Sequence, residues 1–169
     1  MDHESQKPAL ETRPYRDGDA EELWRLFHTT IRTVNLGDYT EAQVAVWAPD
    51  EIDDERWRAR VEGMAPIIAV EADGSIAGYA SLLDDGCVDH FFVRHDRQRR
   101  GVGAMLMHAI LESAAHRDIA RLYSEVSITA RPFFEHFGFV VREEQHVQVG
   151  NESLMNFRME LAAPPPSPR

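Results

Sequence analysis

Three apolar runs, at residues 66–71, 75–83 and 87–93, are separated only by Asp73-Gly74 and Asp84-Asp85-Gly86. Asp-Gly between such runs is a strong signal for a tight hairpin turn. Connections this short cannot carry the crossover that parallel strands require. The three runs therefore form an antiparallel meander, and whatever else the chain builds must pack against it.

Periodicity on either side completes the element string. Residues 11–15 read as a short strand, which Pro14 places at an edge or a bulge. Leu23, Leu26, Phe27 and Ile31 form an apolar helical stripe that Asp17 or Asp19 can cap. Thr40 and Gln43 have capping-box spacing for a second helix, which ends before Pro49. Asp53 caps a third helical segment running through Trp57 and Val61. After the meander come a long helix at residues 105–116 and a strand at residues 122–126. A short helix at residues 131–137 is stopped by Gly138, and a last hairpin, residues 139–149 and 152–161, turns on Gly150-Asn151. The order is β-α-α-β-β-β-α-β-α-β-β, an α+β chain with a mostly antiparallel sheet. Residues 1–10 are expected to be a flexible N-terminus, 11–161 a single domain, and 162–169, with Pro164, Pro165, Pro166 and Pro168, a disordered tail.

Composition narrows the partners. The chain has 169 residues and a formal net charge of −11, which opposes nucleic acid as a general partner and is compatible with a cationic or amine substrate. Cys87 is the sole cysteine, so no internal disulfide forms. The N-terminus lacks the apolar run of a signal peptide, and no segment has the roughly 20 apolar residues of a membrane span. A cytoplasmic protein is expected. The eight histidines are scattered without ligand spacing, so no metal is expected.

Against that acidic background, one loop is dense in arginine. Arg94, Arg97, Arg99 and Arg100 lead into Gly101-Val102-Gly103-Ala104, between the third meander strand and the long helix. Unpaired amides at a helix start, the helix dipole and glycine at the point of approach together make an anion site. Arginine forks add donors that suit phosphate. No Lys-Ser/Thr pair follows the second glycine, and Leu106 stands where a dinucleotide fingerprint needs its third glycine, so the usual nucleotide loops do not fit.

Gln98-Arg99-Arg100-Gly101-Val102-Gly103 resembles the Gln/Arg-x-x-Gly-x-Gly/Ala loop of the GNAT N-acyltransferases. A second segment, Ser127-Ile128-Thr129-Ala130-Arg131-Pro132-Phe133-Phe134 through Gly138-Phe139, resembles that family's Asn-x-x-Ala-x-x-Phe/Leu-Tyr-x-x-x-Gly-Phe pattern. Residues 38–49 further resemble a branch of small bacterial acetyltransferases. The resemblance covers residues 11–161. It implies the GNAT-like α/β/α fold, with a central mixed sheet splayed at the cofactor site, and an acetyl-CoA-dependent N-acetyltransferase that acts directly on a small-molecule or peptide amine. It further implies that main-chain groups of Phe91 and Val93 pair with pantetheine. The pyrophosphate would be held by Arg97, Gln98, Arg99, Arg100, Gly101, Val102, Gly103 and Ala104, with Ser127, Phe133 and Phe134 completing the cofactor site. Tyr39 and Trp47 would border the acceptor. Homodimers are frequent in that fold, and pairing of the last strand with a second copy is one route to them.

Direct acyl transfer needs a base for the amine, a donor to the thioester carbonyl and a fate for the leaving thiolate. Val93 N–H is the expected donor. Asp89 and His90 are the candidate bases, on opposite faces of a regular strand unless a bulge intervenes. The family's tyrosine is replaced by Phe134, which has no proton to give, and its asparagine by Ser127. That departure keeps a second reading open: a non-catalytic module that binds or senses acyl-CoA.

Overall fold

The computed structural model describes residues 10–162. The expectations for residues 1–9 and 163–169 lie outside them. Leu10 and Ala162, expected in the tails, are the first and last residues of strands. The elements are β1 (Leu10–Pro14), α1 (Asp19–Thr33), α2 (Glu41–Trp47), α3 (Asp54–Met64), β2 (Ile67–Glu71), β3 (Ile76–Leu82), β4 (Val88–Val93), α4 (Val102–His116), β5 (Arg121–Ser127), α5 (Arg131–His136), β6 (Val140–Val149) and β7 (Glu152–Ala162). The three helical segments expected between β1 and β2 are all present, one more than the β-α-α-β order.

Local chemistry sets most of these boundaries. Thr40 and Gln43 form the capping box of α2 in both directions. Asp53 caps α3 by accepting from Arg56 N at 3.0 Å. The α1 start differs from expectation: Gly18 is the N-cap, and neither Asp17 nor Asp19 caps with its side chain. Asp19 is instead drawn back to Arg13, which donates to both carboxylate oxygens at 2.7 and 2.9 Å. A bidentate charged pair outcompetes a single cap bond.

The strands form two antiparallel sheets, β1-β2-β3-β4 and β5-β7-β6. The proline-bearing β1 lies at an edge, as its composition requires. The last strand, β7, is paired on both sides, so it is not available to a second copy; the edge belongs to β6. The sheets meet at one parallel bridge, Cys87 to Tyr123. Tyr123 N donates to Gly86 O at 3.0 Å, and Ser124 Oγ to Val88 O at 2.8 Å. Beyond this junction β4 and β5 no longer pair. The whole is a mixed α/β/α structure whose central sheet is split between β4 and β5.

Helices cover both faces. Leu106, Met107 and Ile110 of α4 are fully buried against Ala77, Ala80, Val88 and Leu122. Each contributes about 1.5–3 kcal/mol by leaving water. On the other face Leu23, Leu26, Val61 and Met64 of α1 and α3 pack on Ile68, Val70, Ile76 and Tyr79. Gly78 lets α4 seat closely at the far end of β4. A Cβ there would stand 2.8 Å from Phe92 O and 3.1 Å from both Val102 and Leu106. Sequence thus fixes the distance between the helix start and the strand that precedes it.

Candidate active site

Strand β4 contains a bulge where the candidate bases lie. Phe91 is opposite Ala80 and Val88 opposite Leu82, so β4 advances three residues while β3 advances two. The extra residue falls at Asp89-His90, and Ser81 Oγ takes up the His90 amide at 3.0 Å. Instead of parting to opposite faces, Asp89 and His90 both reach Arg60 of α3. Its guanidinium lies 3.2 Å from His90 Nε2 and 3.7 Å from Asp89 Oδ2.

His90 is buried among rings. It stacks on Phe27 at an interplanar angle of 13° and touches Trp57, Phe92 and Tyr79. Its Nδ1 is 3.0 Å from the Tyr79 hydroxyl. Arginine only donates, so Nε2 must accept and the imidazole proton must sit on Nδ1, directed at the Tyr79 oxygen. Burial first, and the Arg60 charge second, push the His90 pKa down to about 3. His90 is therefore neutral, with its Nε2 lone pair turned to Arg60. Asp89 is on the cleft wall and more open to solvent.

The main chain of β4 is equally specific. Arg94 N donates to Ala77 O at 2.8 Å, so by alternation Phe92 also bonds toward β3. The N–H and C=O groups of Phe91 and Val93 then face the gap toward β5. Val93 O receives Thr30 Oγ1 at 3.2 Å and Gln98 Nε2 at 2.7 Å. Gln98 is thus tied to the strand rather than turned outward.

The arginine loop sorts its own residues. Arg97 Nε donates to Glu71 at 2.6 Å and its NH1 to Asp96 at 2.9 Å. Arg94 bonds the same two carboxylates at 3.2 and 2.6 Å. The Arg97 guanidinium holds the Glu71 carboxyl below its usual range. Arg97 was expected to face a phosphate; it is committed to this network instead. No ion pair among the described residues engages the exposed Arg99 or Arg100. Arg99 and Gly101 take left-handed φ values of 57° and 84°, and α4 follows at once. Its first internal bond runs from Met105 N to Gly101 O at 3.0 Å, which leaves the amides of Val102, Gly103 and Ala104 without helical partners.

The two sequence segments, some thirty positions apart, meet here. Phe133 lies 5.2 Å from Phe91 between ring centroids, and a Cβ on Gly103 would come within 3.1 Å of the Phe133 ring. Phe134 is 2% exposed, packed on Phe91 and Phe139, and lines the cleft with carbon alone. Ser127 Oγ accepts from Ala130 N at 3.0 Å and shapes the turn into α5.

Between the sheets opens a cleft of 1220 Å³. Tyr39 and Trp47 border it, in edge-on contact at 5.5 Å. The Tyr39 hydroxyl is fully used: it donates to Met155 O at 2.6 Å and accepts from Ile128 N at 3.0 Å. Cys87 also lines the cleft, and burial raises its thiol pKa to about 11. Sequence reasoning missed Arg56, Arg60 and Glu125, which line the same cleft. For the arginines a signal existed in their spacing of four residues around Trp57, which puts both on one helical face. Among the described residues no cluster of three or more His, Cys, Asp or Glu could hold a metal, and no helix is long and apolar enough to cross a membrane.

A split sheet, a glycine-bearing helix start beside it and an aromatic cleft define an acyltransferase-like architecture, and comparison with known proteins gives the class. Residues 35–161 match the acetyltransferase (GNAT) domain, and the chain belongs to that family. It is 27% identical over 150 residues to the uncharacterized N-acetyltransferase YafP of Escherichia coli (strain K12), spanning 89% of this chain and 94% of that protein. A GCN5-related N-acetyltransferase from Rhodopseudomonas palustris superposes with a TM-score of 0.86 at 30% identity, covering 92% of this chain and 96% of that one. PaiA N-acetyltransferase from Thermoplasma acidophilum, solved in complex with coenzyme A, shares the fold with a TM-score of 0.70 at 16% identity, over 92% and 99% of the two chains.

Proposed function

We propose that this chain transfers an acetyl group from acetyl-CoA directly to a primary amine of a small molecule or peptide. The observation that carries the reading is one continuous surface. Phe91 turns its backbone groups and Val93 its N–H into the gap, the amides of residues 102–104 without helical partners follow, and Arg99 and Arg100 stand beside them with no ion pair among the described residues. An extended amide-bearing arm pairs with the first part, and a pyrophosphate with the second. At Gly103, where the two meet, a Cβ would press on the Phe133 ring at 3.1 Å.

In this reaction the amine nitrogen bonds the acetyl carbon as the carbon–sulfur bond breaks. Val93 N–H is the donor we assign to the carbonyl oxygen. Asp89, at the bulge, takes the proton that the amine loses, directly or through water. Water supplies the proton to the departing thiolate, because Phe134 has none. Tyr39 and Trp47 wall the acceptor side.

Phe134 also favours a second reading, an acyl-CoA-binding or sensing module without turnover. One experiment separates the two. Calorimetry with acetyl-CoA is combined with thiol release across aminoglycoside, polyamine, amino acid and peptide acceptors. Saturable binding with amine-dependent thiol release supports transfer; tight binding with no release under any acceptor supports the module. Absence of binding defeats both.

A further inference from the structure

This chain is rich in carboxylates, and those around the cleft include Glu51, Asp53, Asp89 and Glu125. Arg56 and Arg60 nonetheless line the same cleft, and the one ion pair between them and these carboxylates among the described residues is Arg60 to Asp89. Arg56 forms no ion pair among the described residues. Arg60 has Asp89 only at 3.7 Å, beyond hydrogen-bond distance, and gives its one close bond to a neutral imidazole. A guanidinium carries five donors, so most of those on Arg60 are unspent. The buried His90 explains how this is achieved. A carboxylate at that position would orient Arg60 and cancel its charge. An imidazole held as the Nδ1–H tautomer by Tyr79 orients it and adds no negative charge to that of Asp89.

We infer that the Arg60 guanidinium, positioned by His90 and assisted by Arg56 one turn away, binds a carboxylate on the acceptor. The acceptor is then an amino acid-like molecule that bears its amine and its anion close together. The 3.7 Å separation of Arg60 from Asp89 sets the scale: an amine beside Asp89 and a carboxylate on Arg60 belong to the same small molecule. The wall of Trp24, Phe27 and Trp57 supplies apolar surface for its side chain. The negative net charge of the protein does not oppose such a ligand, because it arrives as a zwitterion.

This inference rests on the transfer reading above, and the test distinguishes failure of one from failure of the other. Thiol release is measured with L-amino acids, their carboxamides, their decarboxylated amines and phosphoethanolamine, using the full chain and the variants Arg60→Gln and Arg56→Gln. Loss of a charge-assisted bond predicts that wild type favours the acid over its carboxamide by about tenfold or more in kcat/KM. Arg60→Gln should collapse that ratio toward one, chiefly through KM. Acetyl-CoA affinity of each variant, read by calorimetry, reports that the fold is intact. Equal use of acid and carboxamide by wild type, or a ratio unmoved by Arg60→Gln, overturns the inference while leaving acetyl transfer standing. Preference for phosphoethanolamine over every amino acid overturns the carboxylate assignment. If no acceptor turns over although acetyl-CoA binds, the transfer reading fails. Calorimetric binding of the amino acids to wild type and to Arg60→Gln then decides the carboxylate site alone.

Discussion

Arg97 Nε lies 2.6 Å from a carboxylate oxygen of Glu71, and this bond divides the loop arginines into two kinds. Arg94 and Arg97 brace the loop against β2, whereas Arg99 and Arg100 project beyond it. Arg99→Glu with Arg100→Glu should therefore weaken acetyl-CoA binding by about tenfold or more for each bond lost. Arg97→Ala should act mainly on thermal stability. Calorimetry and a melting curve on the same preparations separate the two effects; unchanged affinity in the double variant would move the phosphate site elsewhere.

Asp89 lines the cleft beside Arg60 and is the base assigned in the proposed reaction. Asp89→Asn should lower kcat by about 100-fold, with acetyl-CoA affinity maintained. Single-turnover thiol release at saturating cofactor measures this step. A variant with wild-type turnover would assign proton transfer to Glu125 or to water.

His90 makes stability depend on acid. Its native pKa is about 3, against roughly 6.5 in an unfolded chain. Between those values the unfolded state binds the extra proton, so stability rises with pH. The contribution is complete above about pH 6.5 and is lost as pH falls toward 3, at up to about 1.4 kcal/mol per pH unit from this group. Urea titrations between pH 7 and pH 4 should show that slope, and His90→Gln should flatten it. Nitrogen NMR of the imidazole gives an independent check: the Nδ1–H tautomer should persist at pH 5, and titration near 6.5 would refute the assignment.

Gly86 stands beside the parallel Cys87–Tyr123 bridge that joins the two sheets, and its carbonyl accepts from Tyr123 N. Its φ is 92°, and a Cβ would fall 2.2 Å from Arg121 O. Gly86→Ala should cost at least about 2 kcal/mol, from left-handed strain and backbone displacement together. Chemical denaturation measures the loss. Because the split begins at this junction, acetyl-CoA affinity should fall with it.

Features written in neighbouring residues were legible in the sequence. The Asp73-Gly74 turn, the Thr40–Gln43 box, the Asp53 cap and the Gly138 stop all act within a few positions. Pro14 left an edge or a bulge open for β1, and the strand order places it at the edge. What escaped depends on partners distant in the chain. Asp19 does not cap because Arg13 claims it, and which loop arginines are free depends on Glu71. The bulge at Asp89-His90 has no local marker; it is stabilised by Ser81 across the strand pair and by Arg60 thirty residues away. His90 is a candidate base by residue type, and burial, which lowers its pKa, has no marker in its neighbours in sequence.

Tyr39 joins two backbone groups, Met155 O and Ile128 N, that belong to different segments on the far side of the cleft. One phenol thus acts as a strut, holding that wall in place with the chain's own bonds. Loss of that strut in Tyr39→Phe should therefore be felt in the stability of the fold and not at the cleft alone.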